Sequence, residues 1–241
     1  MKPTVNLAAL ALVVAVLAMP GCVPDNSGIE INAAYDEIDA NCVATAGGMV
    51  EKGGGYLDID WTSRYFLALR VINNLDSSPV PVGSESIPSA RNDFFLHEME
   101  LTYSCKDTRD RCAGFPKYGP VVVQISGTVL AHNSLDMPLD VMTYDLTQKL
   151  LDFSPIVDDG LTVTMLVSIR LRGAFNAGGG NFQTTPFVFP IQLYADPNNL
   201  PPTCAPGESL QDPKTSGVKP APCHNFGQDG SIGVCASLTG T

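Results

Sequence analysis

Histidine, tryptophan and positive charge are scarce in this chain, and each shortage removes a class of chemistry. There are 3 histidines, His97, His132 and His224, scattered over separate segments, and 1 tryptophan among 241 residues. No G-x-S-x-G, H-E-x-x-H, EF-hand or Walker pattern occurs. The run Gly178 to Gly180 lacks the strand-then-helix setting of a phosphate loop and reads as a hairpin turn. No C-x-x-C is present, and His224 directly adjoins Cys223, which is not zinc-ligand spacing. Catalytic residues, cofactors and a metal set are therefore not expected. Lys and Arg number 14 against 25 Asp and Glu, a net charge of −11. Nucleic acid is excluded as a partner, because neutralising phosphates needs a concentrated basic face. The absence of any N-x-[ST] acceptor points towards a bacterial source.

A long hydrophobic run is also lacking, since a membrane span needs roughly 20 apolar residues. Instead Met1-Lys2 precedes a shorter apolar stretch from Leu7 to Met19 that ends at Pro20-Gly21-Cys22, the form of a secretory signal. The stretch Leu17 to Cys22 resembles a bacterial lipoprotein signal. That resemblance implies removal of residues 1–21 and acylation of Cys22, with the membrane as a partner through palmitate-type chains. Val23 rather than Asp follows the cysteine, which the resemblance reads as outer-membrane sorting.

The 7 cysteines are Cys22, Cys42, Cys105, Cys112, Cys204, Cys223 and Cys235. With a lipid on Cys22 the remaining six are even in number and are expected to close three disulfides in an oxidising compartment. Cys105 and Cys112 flank a highly polar segment, Lys106 to Arg111, and form the pair that can be named. Cys42, Cys204, Cys223 and Cys235 allow three pairings.

Hydrophobic residues make up 44% of the chain and charged ones 16%, with 22 Gly and 19 Pro, a balance that suits strands and turns. Residues 22–55 read as a lipidated tether with a helical turn around Ala33 to Ile38. Residues 56–196 carry period-two alternation. Tyr65, Leu67, Leu69 and Val71 fall on one face before an Asn73-Asn74 turn, and Met99, Leu101 and Tyr103 on another. Val121, Val123, Ile125 and Val129 make a third strand. Every second residue from Leu161 to Leu171 is apolar, the plainest half-buried strand in the chain. Phe187, Phe189, Ile191 and Leu193 form a further strand, which Pro190 assigns to a sheet edge. Met137 to Phe153 reads as a strand entering a short helix. Asp76 to Asp93 is a long solvated loop and the first place to look for a binding surface. Residues 197–241 form a Cys/Pro/Gly-rich irregular tail. The expected fold is an all-β antiparallel sandwich, immunoglobulin-like in architecture.

The segment Arg170-Leu-Arg-Gly-Ala-Phe-Asn-Ala-Gly-Gly-Gly, then Phe187-Val-Phe-Pro-Ile-Gln-Leu and Cys223-His-Asn-Phe-Gly-Gln-Asp-Gly, resembles lipoproteins of myxobacteria and related deltaproteobacteria. Tyr65-x-Leu-x-Leu-x-Val-x-Asn-Asn-Leu fits them too. The resemblance spans most of the mature chain, its motifs are structural, and it implies an envelope location and a β-fold without an activity.

Two carboxylate pairs, Asp58 with Asp60 and Glu98 with Glu100, have the spacing that puts both members on one strand face, read here as solvated. Arg170 and Arg172 share that spacing and are placed to meet Glu98 and Glu100 across strands. The function expected is a non-enzymatic envelope lipoprotein that presents the sandwich for adhesion or assembly with other envelope proteins. The alternative is a small-molecule or calcium-binding module, with Asp76, Asp158 and Asp159 the loop acids available to calcium.

Overall fold

In the computed structural model, residues 28–35, 51–77, 79–82, 84–87, 90–108, 110–178, 181–196, 203, 204, 206, 208–211, 228, 229 and 234–237 are described. Residues 1–21, expected to be a signal, and Cys22 lie outside the described residues, as do Cys42, Cys223 and His224.

Two sheets pack face to face. The smaller has the order β1 (Ile29–Tyr35), β3 (Phe66–Asn73), β8 (Asn133–Asp140). The larger runs β2 (Gly55–Asp58), β11 (Phe187–Tyr194), β9 (Val163–Phe175), β6 (Phe94–Cys105), β7 (Val121–Val129), with the short β10 (Phe182–Gln183) also paired to β9. Alternation builds the core. Val163, Met165, Val167, Ile169 and Leu171 of β9 are fully buried and pack in one cluster with Tyr65, Leu67, Leu69 and Val71 at the facing sheet. At about 25 cal/mol per Å² of apolar surface, burial on this scale is the main force holding the sheets together.

After β8 the chain forms α1 (Tyr144–Leu150), capped by the Thr143 hydroxyl accepting from the Leu146 N–H at 3.3 Å. A short α2 (Ser154–Val157) follows. Leu146, Leu150, Phe153 and Ile156 join the same core cluster, so the helices close one end of the sandwich. Cys105–Cys112 and Cys204–Cys235 are disulfides, the first bridging a segment just beyond β6.

Several features differ from the sequence reading. Residues 22–55 are not only a tether, because β1 lies within them and pairs with β3. Ile29, Ile31 and Ala33 are buried on alternate positions, Ala34 is buried as well beyond a register shift in the pairing with β3, and Ala33 to Tyr35 are extended rather than helical. The sheet is not wholly antiparallel, since β2 runs parallel to β11. β11 is interior over Ile191–Tyr194, where β2 pairs with it; Pro190 falls just before that pairing begins, so its missing donor costs no bond to β2. The Asp76 to Asp93 segment contains the hairpin β4 (Val80–Val82) and β5 (Glu85–Ile87), and its ends are fastened. Asn73 is buried rather than turning in solvent, and its amide donates to the Asn92 carbonyl at 2.7 Å and the Val129 carbonyl at 3.1 Å. The tail is not wholly irregular, since β12 (Glu208–Gln211) and β13 (Val234–Ser237) pair antiparallel around the Cys204–Cys235 bond.

Candidate functional site at the bulge of the six-stranded sheet

The β6 strand carries one residue more than β9 between Leu96, opposite Gly173, and Glu98, opposite Arg172. Its buried face switches there from Phe94 and Leu96 to Met99 and Leu101, so His97 and Glu98 are both turned away from the core. Bulges of this kind re-aim side chains and are enriched next to functional sites. β10 pairs with β9 at the same level, Phe182 opposite Gly173 and Gln183 opposite Arg172. Between bulge and β10 lies a groove of about 420 Å³ lined by His97, Glu98, Arg172, Gly173, Asn181, Phe182 and Gln183. Its floor must be glycine. A Cβ on Gly173 would stand 2.1 Å from the Phe95 carbonyl oxygen and 2.8 Å from the Phe94 ring.

Beside the groove the two charge pairs meet as their spacing suggests. Glu98 stands opposite Arg172 and Glu100 opposite Arg170. Arg170 donates to Glu100 at 3.4 Å, Arg172 bonds Glu100 closely, and Arg172 Nη1 lies 3.8 Å from Glu98. Glu100 is not on a solvated face, because the two guanidinium groups shield it until only 11% of its side chain is exposed. The Gln124 amide donates to Glu98 at 3.2 Å, so the charges here are compensated within the ladder. What the groove offers a ligand is hydrogen-bonding side chains beside a phenyl ring.

Asp58 and Asp60 correct the sequence reading more sharply. Asp58 ends β2 and is only 2% exposed. Its Oδ1 accepts the Asp60 N–H at 3.1 Å, while its buried Oδ2 has no hydrogen-bond partner among the described residues. Burial raises its pKa to about 6, and the charges of Asp60 and Asp196 push the same way. Asp60 is raised as well, by burial and by Asp196. Tyr194 is raised by burial and by Asp58, Asp196 and Asp229.

Of the other acids, Asp76 stands 3.6 Å from His132, and Asp158 accepts the Ser154 hydroxyl at 2.7 Å. Among the described residues no three His, Cys, Asp or Glu side chains are grouped to hold a metal ion. No helix of the described residues is long and apolar enough to cross a membrane.

A lock formed by Gln228 and Asp229 was not legible beforehand. The Gln228 side chain accepts the Phe66 N–H at 2.9 Å and donates to the Phe66 carbonyl at 2.8 Å. Asp229 takes the Tyr56 N–H at 2.9 Å and the Tyr65 hydroxyl at 3.0 Å, and pairs with Lys52. Only a Gln-Asp-Gly turn signal marks these residues in the sequence. Compared with protein-family models and with curated proteins, the chain matches none.

Proposed function

We propose that this chain is an exported, lipid-anchored protein of the bacterial outer membrane, which presents a disulfide-braced β-sandwich for adhesion or assembly with other envelope components. The observation that carries this reading is covalent. Cys105–Cys112 and Cys204–Cys235 are both bonded, and structural disulfides form and persist in oxidising compartments. The apolar run from Leu7 to Met19 supplies export, and Cys22 after Gly21 supplies the anchor. Two or more acyl chains hold a protein stably on a membrane, whereas one is marginal. A binding role is supported by the charge ladder, whose acids and bases are matched to each other instead of being poised for proton transfer.

Membrane fractionation and intact mass test the reading. Acylated protein is expected in the outer-membrane fraction, and Cys22→Ser is expected to release it into the soluble fraction. An unmodified Cys22 in membrane-extracted protein would overturn the anchor, and turnover abolished by one substitution would overturn the non-enzymatic role.

The groove at the bulge favours a second reading, a small-molecule binding module. His97, Asn181, Gln183 and the Phe182 ring suit a neutral polyhydroxylated ligand. Thermal shift with a panel of neutral mono- and disaccharides tests it. A shift lost in Asn181→Ala supports it, and no shift with any member argues against it.

A further inference from the structure

Among the described residues, and apart from the two-residue β10, four strands form the edges of the two sheets, and three of them are guarded. β1 carries Glu30 and a register shift, and residues 51 and 52 run beside it, with Lys52 N–H donating to the Ala34 carbonyl at 2.8 Å. β2 is four residues long and is covered by Gln228 and Asp229, the Asp229 N–H donating to the Tyr56 carbonyl at 2.8 Å. β8 carries Asp136, Pro138 and Asp140. Charge, proline, irregularity and cover are the means by which soluble proteins keep edges from pairing with other chains.

β7 lacks charge, proline and, among the described residues, cover. It is nine residues, Val-Val-Val-Gln-Ile-Ser-Gly-Thr-Val, and its burial alternates without a break, although between Gly127 and Gln124 it carries one residue more than β6 does between Leu96 and Glu98. Among the described residues it pairs with β6 alone. Next to it, between β7 and β8, runs a groove of about 560 Å³ lined by Gln124, Ile125, Ser126, Met137, Pro138 and Leu139. A strand added here would lay one apolar face over Ile125, Met137 and Leu139 and turn an uncharged face to solvent. β7 itself has that pattern, with Val121, Val123 and Ile125 on one side and Gln124, Ser126 and Thr128 on the other. At a net charge of −11 two copies repel generally, so contact is favoured where the shared surface is uncharged.

We infer that β7 is a self-association edge: two copies pair antiparallel through β7 about a two-fold axis at Ile125, joining their six-stranded sheets and covering the groove. Centring on Ile125 uses all nine residues and sets Gln124 opposite Ser126 and Val122 opposite Thr128. This interface is isologous, so it closes on a dimer.

Sedimentation and light scattering of the full chain in detergent, over a range of concentrations, test the proposal. A dimer is expected. Gln124→Lys with Ser126→Lys sets lysine against lysine across the axis and is expected to weaken association by at least about tenfold. Gln124→Lys with Ser126→Glu sets opposite charges together and is expected to restore it. Unchanged thermal unfolding shows that each variant is folded. Amide exchange on β7 is expected to slow as concentration rises. A monomeric wild type, or a dimer indifferent to the double lysine variant, overturns the proposal. So does association lost in Cys22→Ser with β7 intact, because the detergent micelle would then be what joins the copies.

Discussion

The hydroxyl of Tyr65 donates to the carboxylate of Asp229, at 3.0 Å from one oxygen and 3.1 Å from the other, across 164 residues of sequence. Tyr65 is fully buried at the start of β3, and Lys52 pairs with the same carboxylate. One acid from the tail therefore links the strand-forming region to the residues just before β2. Asp229→Ala is expected to destabilise the fold by about 2 to 4 kcal/mol, since it removes a carboxylate contacted by both a buried hydroxyl and a largely covered ammonium. Denaturant titration measures this. Asp229→Asn, which keeps an acceptor for Tyr65, is expected to lose less.

Asp58 makes stability depend on pH in the sense opposite to an ion-paired acid. Its folded pKa of about 6 lies above the ordinary aspartate value of 3.8, so the folded chain holds the proton more tightly. The cost of its charge is fully present above pH 6 and vanishes as pH falls to about 4. Its contribution is expected to improve by about 3 kcal/mol on acidification through that window. Asp58→Asn is expected to raise stability at pH 7.5 and to remove this part of the pH dependence. Unfolding titrations at pH 7.5 and 5 compare the two, and identical pH slopes would count against the assignment.

The charge ladder is expected to behave as one unit. Glu100→Gln leaves Arg170 and Arg172 without their nearest carboxylate and is expected to cost about 1 to 2 kcal/mol. A double-mutant cycle with Arg172→Gln is expected to give a coupling above about 0.5 kcal/mol, as side chains in contact do. Additive effects would mean that the pair contributes no coupling energy.

Gly173 is expected to tolerate no side chain. Gly173→Ala places a methyl against the Phe95 carbonyl oxygen, a backbone atom that cannot swing aside. A loss above about 3 kcal/mol, or failure to fold, is expected. Gly178→Ala is the informative comparison, because nothing lies within 4 Å of that position although its φ of +80° disfavours alanine. Its cost is expected to be about 1 kcal/mol. Circular dichroism and thermal unfolding read both variants.

The sandwich was legible because period-two alternation is a local property. Val163, Met165, Val167, Ile169 and Leu171 had to share one face, whatever they met, and the structure buries all five, while Leu161, expected to join them, lies before β9 and is only partly buried. The pairing of Glu98 and Glu100 with Arg170 and Arg172 was legible for the same reason, since equal spacing on two strands lets opposite charges align. Cys105 and Cys112 are close in sequence and had few other geometries open to them.

Tertiary structure alone decided what depends on residues far apart. β1 is short and only weakly apolar, and it gains its place by pairing with β3, about forty residues later. Pro190 marks an edge only until the chain brings β2 alongside the second half of β11. Asp58 reads in the sequence as part of a solvated strand face, yet it is buried where β2 and β11 end together, and desolvation there sets its proton affinity. Local pattern fixes which face of a strand is apolar. Which strands come to lie beside it, and which polar groups they cover, depends on the energy of the whole packed arrangement and is written in no single segment.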